Sequence, residues 1–357
     1  MIRRALLHLL ALTCAMPAAG QEISDRLGPA EAGHELVVRS TTDLSVLRPV
    51  LEDFLAAWPD VAIRYEQWLS NNLYRLTLED CEARGAGADL VISSAVHHMV
   101  ELVNRGCAYT HVSDQTLALP DALVWRDELW GVTREPAVMI YDRTRVPEED
   151  VPRSRFDLLD LLRASDGPYA GRVATYDIEA SGLGYLFAYA DSLEATTFGG
   201  LMEAFGRSDT VATCCSAEIM EGVLRGDYLL AYNIIGSYAL QLAEDNPELG
   251  IVAPSDYTLM LSRGAMIPQH ADSPQLAATL VDYLLSDPGR AALAEAHLIT
   301  DLEMLIANGA AAPSLGSSAL RPVELSPKLL VASDRHKKQL FQARWRDAFP
   351  ANSAKAP

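Results

Sequence analysis

The chain has 357 residues, enough for two domains of ordinary size. Hydrophobic residues make up 49% and charged residues 22%, proportions that are typical of a globular protein and exclude general disorder. The 48 acidic residues outnumber the 29 basic ones, so the net charge is -19. This charge argues against a nucleic-acid binder, which needs a basic face to neutralise phosphates, and against attachment to anionic membranes.

The first 20 residues have the pattern of an export signal. Two arginines lead into an apolar stretch at 6–15, which is too short to span a bilayer, and small residues follow at 18–20. We expect cleavage before Gln21 and a mature protein in the periplasm. A lipoprotein anchored through Cys14 is the alternative, but the residues before that cysteine fit a lipobox poorly.

Export permits disulfides among the four remaining cysteines. Cys81 and Cys107 flank a predicted strand and helix, and we expect them to pair. Cys214 and Cys215 are neighbours, and a bond between neighbours is strained, so we expect both to be reduced or packed. No CxxC motif occurs, and no histidine close in sequence indicates a zinc site.

Strand and helix patterns alternate along the first 130 residues. After a short leader at 21–33, strands are predicted at 35–39, 61–65 and 89–94, and helices at 47–55, 71–82 and 99–105. This alternation predicts a parallel sheet made of βαβ units. Ligands of such sheets lie beyond the carboxyl ends of the strands.

Hydroxyl side chains stand at two of these strand ends. They are Ser40, Thr41 and Thr42 after the first strand, and Ser93 and Ser94 after the third. Such residues are typical N-caps of the helices that follow. A capped helix N-terminus with free amides is also an anion site, so both interpretations stay open.

A second unit of alternating patterns begins near Gly131. Strands are predicted at 136–142, 171–176 and 228–232, with helices at 156–164 and 218–224 and further helices opening at 181 and 233. Strands at 250–254 and 258–261 are expected to return to the first unit, before helices at 276–285 and 290–296. This order predicts a first lobe from 34–134 and 240–357 and a second lobe from 135–239. The chain would cross between them near 133–136 and 238–245.

Few motifs point to chemistry by themselves. No nucleophile elbow, P-loop, dinucleotide fingerprint or metalloprotease helix occurs in the sequence. The glycine-rich turn at Ser181 and Gly182 indicates a close backbone approach at a helix N-terminus, or simply a serine-capped turn. His97 and His98 are adjacent and their side chains point apart, so we expect no metal site there.

The order of these elements resembles the class II periplasmic solute-binding proteins of ABC transporters. The similar family includes ferric-iron, phosphonate and phosphoglycerate-type binding components. The stretches that carry the resemblance span nearly the whole mature chain: 36–42, 88–94, 130–142, 171–184, 226–238, 250–264, 277–289 and 320–349. The resemblance implies an α/β fold of two lobes, each with a mostly parallel sheet flanked by helices, and a ligand cleft between them.

The resemblance also implies which residues form the cleft. Carried over position by position, its walls would hold Ser40, Thr41, Thr42, Ser93, Ser94, Arg134, Ser181, Gly182, Tyr232, Asn233 and Ser237. Ferric binders of the family have two adjacent tyrosines where this chain has Tyr232 and Asn233, so only Tyr232 would remain as an iron ligand. The hydroxyls, amides and Arg134 suit a small oxyanion such as a phosphonate, phosphate ester or carboxylate.

The resemblance implies a non-enzymatic, monomeric receptor that delivers an oxyanion-type solute to an ABC transporter permease in the inner membrane. A sensor kinase is the alternative partner, because the same closed lobes can present a surface to it. A secreted enzyme on this fold would need a nucleophile–base or acid–base set, and the sequence offers none. We expect no cofactor, no resident metal and no nucleic-acid partner.

Overall fold

The computed structural model describes residues 21–163, 166–194, 197–307, 309–310 and 319–349. The predicted export signal at 1–20 lies outside these residues. The described chain forms two seven-stranded sheets, each flanked by helices. We call the part around each sheet the first and the second lobe. None of the helices in the described ranges is long and apolar enough to cross a bilayer.

The first sheet has the spatial order β1-β3-β2-β4-β13-β6-β5. Its strands are β1 (Gln21–Leu27), β2 (His34–Ser40), β3 (Val61–Trp68), β4 (Leu90–Ser93), β5 (Val124–Trp125), β6 (Leu129–Gly131) and β13 (Gly264–Met266). β2 pairs in parallel with β3 and β4, as the alternating pattern predicts. Helices α1 (Leu44–Ala57), α2 (Ser70–Ala83) and α3 (Val96–Asn104) follow these three strands.

The expected leader at 21–33 begins with a strand instead. β1 pairs antiparallel with β3 and forms the edge of the first sheet. Five of its seven side chains are exposed, so the alternation that identifies a half-buried strand is missing from the sequence. Backbone hydrogen bonds to β3, rather than side-chain burial, hold this segment.

The second sheet is built around β7 (Glu135–Asp142). Its other strands are β8 (Val173–Tyr176), β9 (Val211–Thr213), β10 (Leu230–Ile235), β11 (Leu249–Val252), β12 (Thr258–Leu261) and β14 (Leu320–Pro322). The order is β14-β12-β7-β10-β8-β9, with β11 also paired to β7. The helices between these strands are α5 (Arg155–Leu161), α6 (Gly182–Glu194), α7 (Phe198–Arg207), α8 (Ser216–Arg225) and α9 (Gly236–Asp245).

The strands expected to return to the first lobe belong to the second sheet. β11 and β12 pair antiparallel with the two halves of β7. All eight residues of β7 are buried, and a buried strand edge needs partners for its backbone groups. The second crossing is therefore at 262–263, and the prediction of a crossing at 238–245 was wrong. The first crossing, at 132–134, agrees with the prediction.

The remaining helices include a C-terminal pair that contacts both lobes. The remaining helices are α4 (Asp114–Leu117), α10 (Pro274–Leu285), α11 (Asp287–Glu295), α12 (Leu302–Ala307), α13 (Lys328–Ser333) and α14 (Arg335–Ala348). The C-terminal pair consists of α13 and α14. α13 packs on α3 of the first lobe, whereas α14 packs on α7 of the second. The Trp345 side chain of α14 is buried in the second-lobe core.

A buried ion pair joins the two crossing segments. Arg263 donates through Nε and Nη2 to the two carboxylate oxygens of Glu135, at 2.9 and 3.0 Å. Both side chains are at most 2% exposed. Thr133 Oγ1 and Ser237 Oγ also donate to the Glu135 carboxylate. Arg263 Nη1 reaches Thr42 Oγ1 of the first lobe at 3.0 Å. The pair therefore ties the crossing to both lobes.

Replacing Glu135 with glutamine should lower the free energy of unfolding by about 3–5 kcal/mol, because Arg263 would stay buried without a counter-charge. Urea unfolding followed by circular dichroism measures this loss. Glu324→Gln is the matched control, since its pair with Lys328 is exposed and should contribute less than about 0.5 kcal/mol. Equal losses in the two variants would contradict the role given to the buried pair.

Candidate binding site between the two lobes

A cavity of about 180 Å³ lies where the two lobes face each other. The hydroxyls that line it belong to Thr41, Ser70 and Ser94 of the first lobe and Tyr176, Ser181, Ser216 and Tyr238 of the second. The charged and amide side chains at the cavity are Glu22, Asp43, Gln67 and Arg263. Drug-sized ligands need roughly 300–1,000 Å³, so this volume suits a smaller, polar molecule.

Five helices begin at this cavity. α1, α2, α6, α8 and α9 each follow a strand, and their start residues Asp43, Ser70, Ser181, Ser216 and Ile235 line the cavity. The first N–H groups of a helix lack partners within the helix, and the helix dipole adds partial positive charge there. The amides of Asp43, Gly182 and Ile235 already donate to side-chain hydroxyls, so the helix dipoles and the remaining helix-start N–H groups are what this end of the strands offers to an anionic or polar group.

Hydrogen bonds hold two pairs of hydroxyls in place. Thr41 Oγ1 lies 3.2 Å from Ser94 Oγ and accepts a hydrogen bond from the Ser94 amide at 3.0 Å. In the second lobe, Tyr176 OH lies 2.6 Å from Ser216 Oγ. Burial raises the pKa of Tyr176 to about 12, so its side chain is a neutral hydroxyl at pH 7.

The fixed charges at the cavity are not positive overall. The Gln67 side-chain amide donates to Glu22 at 2.8 Å and to Asp43 at 3.0 Å, which places two carboxylates at the first-lobe end. Burial raises the pKa of Asp43; Arg263 opposes this shift and Glu22 adds to it. The charge of Arg263 is already balanced by Glu135. Among the described lining residues, amides and hydroxyls rather than an unbalanced cation are therefore available to an anion.

Direct hydrogen bonds join the lobes beside the cavity. The Gly182 amide of the second lobe donates to Ser70 Oγ of the first at 2.9 Å. The Asp43 amide of the first lobe donates to Tyr238 OH of the second, also at 2.9 Å. The lobes are thus in contact, and the structure represents a closed arrangement of the cleft.

The sequence model of the family described as bacterial extracellular solute-binding protein matches residues 44–298. A substrate-binding protein of an ABC transporter from Agrobacterium tumefaciens has 31% sequence identity, with 92% of this chain and 99% of that chain covered and a TM-score of 0.83. The chain belongs to the bacterial extracellular solute-binding proteins. The resemblance noted in the sequence and the two-lobe class II fold are confirmed.

More distant solved structures show the same fold. Iron-bound HitA from Pseudomonas aeruginosa has 18% identity, covers 88% of this chain and 99% of its own, and has a TM-score of 0.65. AfuA from Actinobacillus pleuropneumoniae, with exogenous fructose-6-phosphate bound, has 14% identity, coverage of 89% and 99%, and a TM-score of 0.67. A comparison with curated protein sequences finds no match.

The structure brings only part of the expected site to the cleft of this solute-binding protein. Thr41, Ser94 and Ser181 line the cavity. Ser40 and Ser93 do not line it. The hydroxyl of each accepts a hydrogen bond from the backbone N–H two residues later, at 2.9 and 3.1 Å. Thr42, likewise buried, contacts Arg263 at the crossing rather than the cavity. Ser40 and Ser93 have a local structural role, but none of the three residues caps a helix: the N-cap residues are Asp43 of α1 and Ala95 of α3, so the capping interpretation was wrong for them.

Gly182 lies at the contact between lobes. A Cβ atom at this position would lie 2.9 Å from His98 Cε1, 3.0 Å from Ser70 Oγ and 3.1 Å from Ala95 Cβ, all in the first lobe. The close backbone approach expected at this glycine therefore exists, but its partner is the opposite lobe.

Arg134 is not at the cavity. Its side chain is exposed, and its backbone N–H and C=O bond to Leu298 and Thr300 at 2.8 Å. Side chains alternate along an extended segment, and here Thr133 and Glu135 point inward. The expectation that Arg134 holds an anion in the cleft is therefore corrected.

Tyr232 points into the second lobe instead of the cleft. Its hydroxyl accepts from Arg155 Nε and donates to Asp191, both at 2.6 Å. Asn233 also donates to Asp191, at 2.5 Å, and Ser237 donates to Glu135 at the crossing. The Arg155 and Asp191 side chains are fully buried as a 3.0 Å ion pair. Because Tyr232 and Asn233 bond to this pair, they point into the second lobe. Tyr232, the residue that a ferric site would use, therefore points away from the cavity.

Several cavity residues were missed by the sequence analysis. Gln67 and Tyr176 stand at the ends of β3 and β8, and Ser216 begins α8. The rule that ligands lie beyond strand carboxyl ends, applied to every predicted strand, would have found the first two. Arg263 had no such signal, because the strand that precedes it, β12, was assigned to the wrong lobe.

The described part of the chain contains two disulfides. Cys81 and Cys107 are bonded with a Cα–Cα distance of 5.5 Å, which matches the expected pair. Cys214 and Cys215 are also bonded, although they were expected to be reduced or packed. They lie in the turn between β9 and α8, where no sheet ladder holds the backbone, and both line the cavity.

Gly182→Ala should weaken the closed arrangement, because the added methyl group would press on His98 and Ser70 of the other lobe. We expect faster hydrogen exchange in peptides covering 69–72 and 179–183, measured by mass spectrometry. Gly199→Ala is the control: nothing lies within 4 Å of its Cβ position, and helix propensity predicts a gain of up to about 1 kcal/mol. Unchanged exchange in Gly182→Ala would contradict the close inter-lobe contact.

Acidification should destabilise the protein through two buried histidines of α3. Burial lowers the pKa of His98 to about 3 and the pKa of His97 well below its usual value. Below about pH 6.5 the unfolded chain takes up protons that the folded chain does not, so stability falls with pH, by at most about 1.4 kcal/mol per pH unit for each histidine. Urea midpoints between pH 7.5 and 5.5 measure this slope. His98→Gln should reduce the slope, whereas the exposed control His336→Gln should leave it unchanged.

Proposed function

We propose that this protein captures a small solute with one oxyanion group between its lobes and delivers it to the permease of an ABC transporter. The observation that carries the proposal is the convergence of five helix starts and seven hydroxyls on one inter-lobe cavity. Backbone amides at helix N-termini and hydroxyls bind phosphate and carboxylate oxygens. AfuA, a protein of the same fold, is bound to a sugar phosphate.

The charges at the cavity orient this solute. Ser181, Ser216 and Ala217 place helix starts of the second lobe at the cavity, whereas the carboxylates of Glu22 and Asp43 lie at the first-lobe end. Like charges repel most strongly where burial limits screening. The oxyanion therefore belongs at the second-lobe end, and the opposite end of the solute should carry hydroxyls or other donors. A solute with an anionic group at each end fits poorly.

A ferric solute is the weaker candidate. Tyr232, the tyrosine expected to bind iron, is hydrogen-bonded to Arg155 and Asp191 away from the cavity. The tyrosines that do line the cavity are Tyr176 and Tyr238, and burial raises the pKa of both. Forming a phenolate there costs more than in water, which opposes iron binding.

The choice of a permease as partner follows the 31% identical substrate-binding protein, which serves an ABC transporter. A sensor kinase reading the same closed lobes is the second candidate. Capture and release need the segments that join the lobes to move as one unit; these are 132–134, 262–263 and the later passage from α11 of the first lobe to β14 of the second sheet. A single chain contains both halves of the cleft. A monomeric, non-enzymatic receptor is therefore sufficient for the proposal.

A thermal-shift screen of the mature protein tests the solute class. The compounds are phosphate esters, phosphonates, carboxylates and ferric ion, with a bisphosphate matched to each monophosphate. A true solute at 100-fold its Kd adds about 2.7 kcal/mol of stability. We expect an increase in melting temperature with compounds that carry one anionic group, and a smaller increase with the matched bisphosphates. A shift with ferric ion alone, or none at all, would contradict the proposal.

Ser216→Ala should weaken binding of the compound that the screen identifies. The variant removes a hydroxyl at the start of α8, and a hydrogen bond to a charged group contributes about 1.5–3 kcal/mol. Isothermal calorimetry measures the change in Kd. Ser192→Ala is the control, because the Ser192 hydroxyl donates to the Tyr189 carbonyl on α6 and does not line the cavity. Equal affinities in Ser216→Ala and the unmodified protein would show that the oxyanion lies elsewhere.

A further inference from the structure

The cleft wall contains a disulfide bond that the proposed function does not require. Cys214 and Cys215 are bonded to each other and both line the inter-lobe cavity. Both are only partly buried, so a thiol that enters the cleft can reach them. Cys107 of the other disulfide is 1% exposed and belongs to the first-lobe core.

The bonded pair is continuous with groups that would touch the solute. Cys215 is the N-cap of α8, and Ser216 is the first residue of that helix. Ser216 Oγ lies 2.6 Å from Tyr176 OH, and the Tyr176 hydroxyl accepts from the Ile235 amide at 3.4 Å. A movement of the Cys215 backbone therefore displaces two hydroxyls of the cavity wall.

The surroundings make the two sulfur atoms chemically different. Cys215 stands at the start of a ten-residue helix, whose dipole and free amides stabilise a thiolate. Cys214 Sγ lies 3.4 Å from a carboxylate oxygen of Glu218, which disfavours a thiolate at that sulfur. In thiol exchange the better leaving group is the more stable thiolate. Attack at Cys214 therefore gives the better leaving group, which is Cys215.

We propose that Cys214–Cys215 is a redox-modifiable site in the cleft wall, reduced by a dithiol, and that the oxidised form is the one that binds solute. A thiolate of the dithiol attacks Cys214 Sγ, the Cys214–Cys215 bond breaks, and Cys215 leaves as a thiolate that then takes up a proton. The second thiol of the reductant attacks the mixed disulfide and releases Cys214. The protein gains two electrons and two protons, and the dithiol becomes a disulfide.

Reduction alters the fit of the cavity. Two sulfur atoms that are no longer bonded must separate to van der Waals contact, which moves the N-cap of α8 and the Ser216 hydroxyl with it. The cavity is only about 180 Å³, so a shift of this wall changes a large part of its surface. The oxidised pair keeps the wall preorganised, and preorganisation lowers the cost of binding.

Graded reduction with dithiothreitol tests the first half of the proposal. The purified mature protein is treated, alkylated with iodoacetamide and mapped by mass spectrometry. Cys214 and Cys215 should be half-reduced at a concentration about tenfold or more below that needed for Cys81–Cys107, because reduction of the latter would leave a Cys107 thiolate buried in apolar surroundings. Phenylarsine oxide, which bridges two neighbouring thiols, should bind only the reduced protein. Alkylation of 214 and 215 without reductant, or equal sensitivity of the two disulfides, would overturn the proposal.

Hydrogen exchange tests the second half without any solute. Mild reduction should increase exchange at least about threefold in peptides covering 173–177 and 211–220, while peptides of the first-lobe sheet stay unchanged. The double variant Cys214→Ser, Cys215→Ser should exchange like the reduced protein and should not respond to dithiothreitol. Unchanged exchange on reduction would remove the link to the cleft wall.

The solute screen keeps the two proposals separate. If a compound binds, its Kd should rise at least about tenfold on mild reduction of the unmodified protein and should not depend on reductant in the double variant. An unchanged Kd would overturn the redox proposal and leave the proposed function intact. If no compound binds, the alkylation and exchange results still decide whether the redox site exists.

Discussion

The crossing between the two lobes is built around the ion pair between Arg263 and Glu135. Two charges that are at most 2% exposed are costly to desolvate, and such a pair is tolerated only when its remaining donors and acceptors are satisfied. Here three hydroxyls complete the arrangement, from Thr133 at the crossing, Ser237 of the second lobe and Thr42 of the first. The same atoms that neutralise the charge therefore connect the lobes at the hinge. Any opening of the cleft must keep this cluster satisfied or expose it to water.

A second buried ion pair, inside the second lobe, keeps two polar side chains out of the cleft. Arg155 and Asp191 lie inside the second lobe and take the hydroxyl of Tyr232 and the amide of Asn233 as partners. Because the Tyr232 hydroxyl and the Asn233 amide nitrogen are hydrogen-bonded inside the lobe, the cavity is lined by other side chains. With Arg263 also neutralised, the cavity relies on helix starts and hydroxyls, which are dipoles rather than full charges.

This balance has a consequence for how the lobes close. Backbone and hydroxyl groups at the cavity mouth bond directly across the lobes, as between Gly182 and Ser70 and between Asp43 and Tyr238. A solute that contacts both walls would add to these bonds, and its differential affinity for the closed arrangement would set the population of that state. The partly buried Cys214–Cys215 pair lies in the same wall. The covalent state of the pair is therefore coupled through the backbone to the geometry that the solute meets.

The sequence alone determined the local elements and their order. The strands β2, β3 and β4 and the helices after them follow from hydrophobic periodicity, because neighbouring residues decide that signal. The order of these elements, through its resemblance to a known family, also predicted two lobes with a cleft between them. Hydroxyls at strand ends identified Thr41 and Ser94, since strand direction alone brings such ends together, and the glycine-rich turn at a helix start identified Ser181.

Only the tertiary structure decided which strands pair and where polar side chains point. β11 and β12 have the pattern of buried strands, but that pattern does not say which strand they pair with. Their partner is β7, which begins more than 100 residues before either of them and has an open edge. Tyr232 and Asn233 turn inward because Asp191, on α6, accepts from both. Arg134 turns outward because its neighbours Thr133 and Glu135 belong to the buried cluster around Arg263. In each case the deciding partner is distant in sequence, and a linear pattern carries no information about a contact that only folding creates.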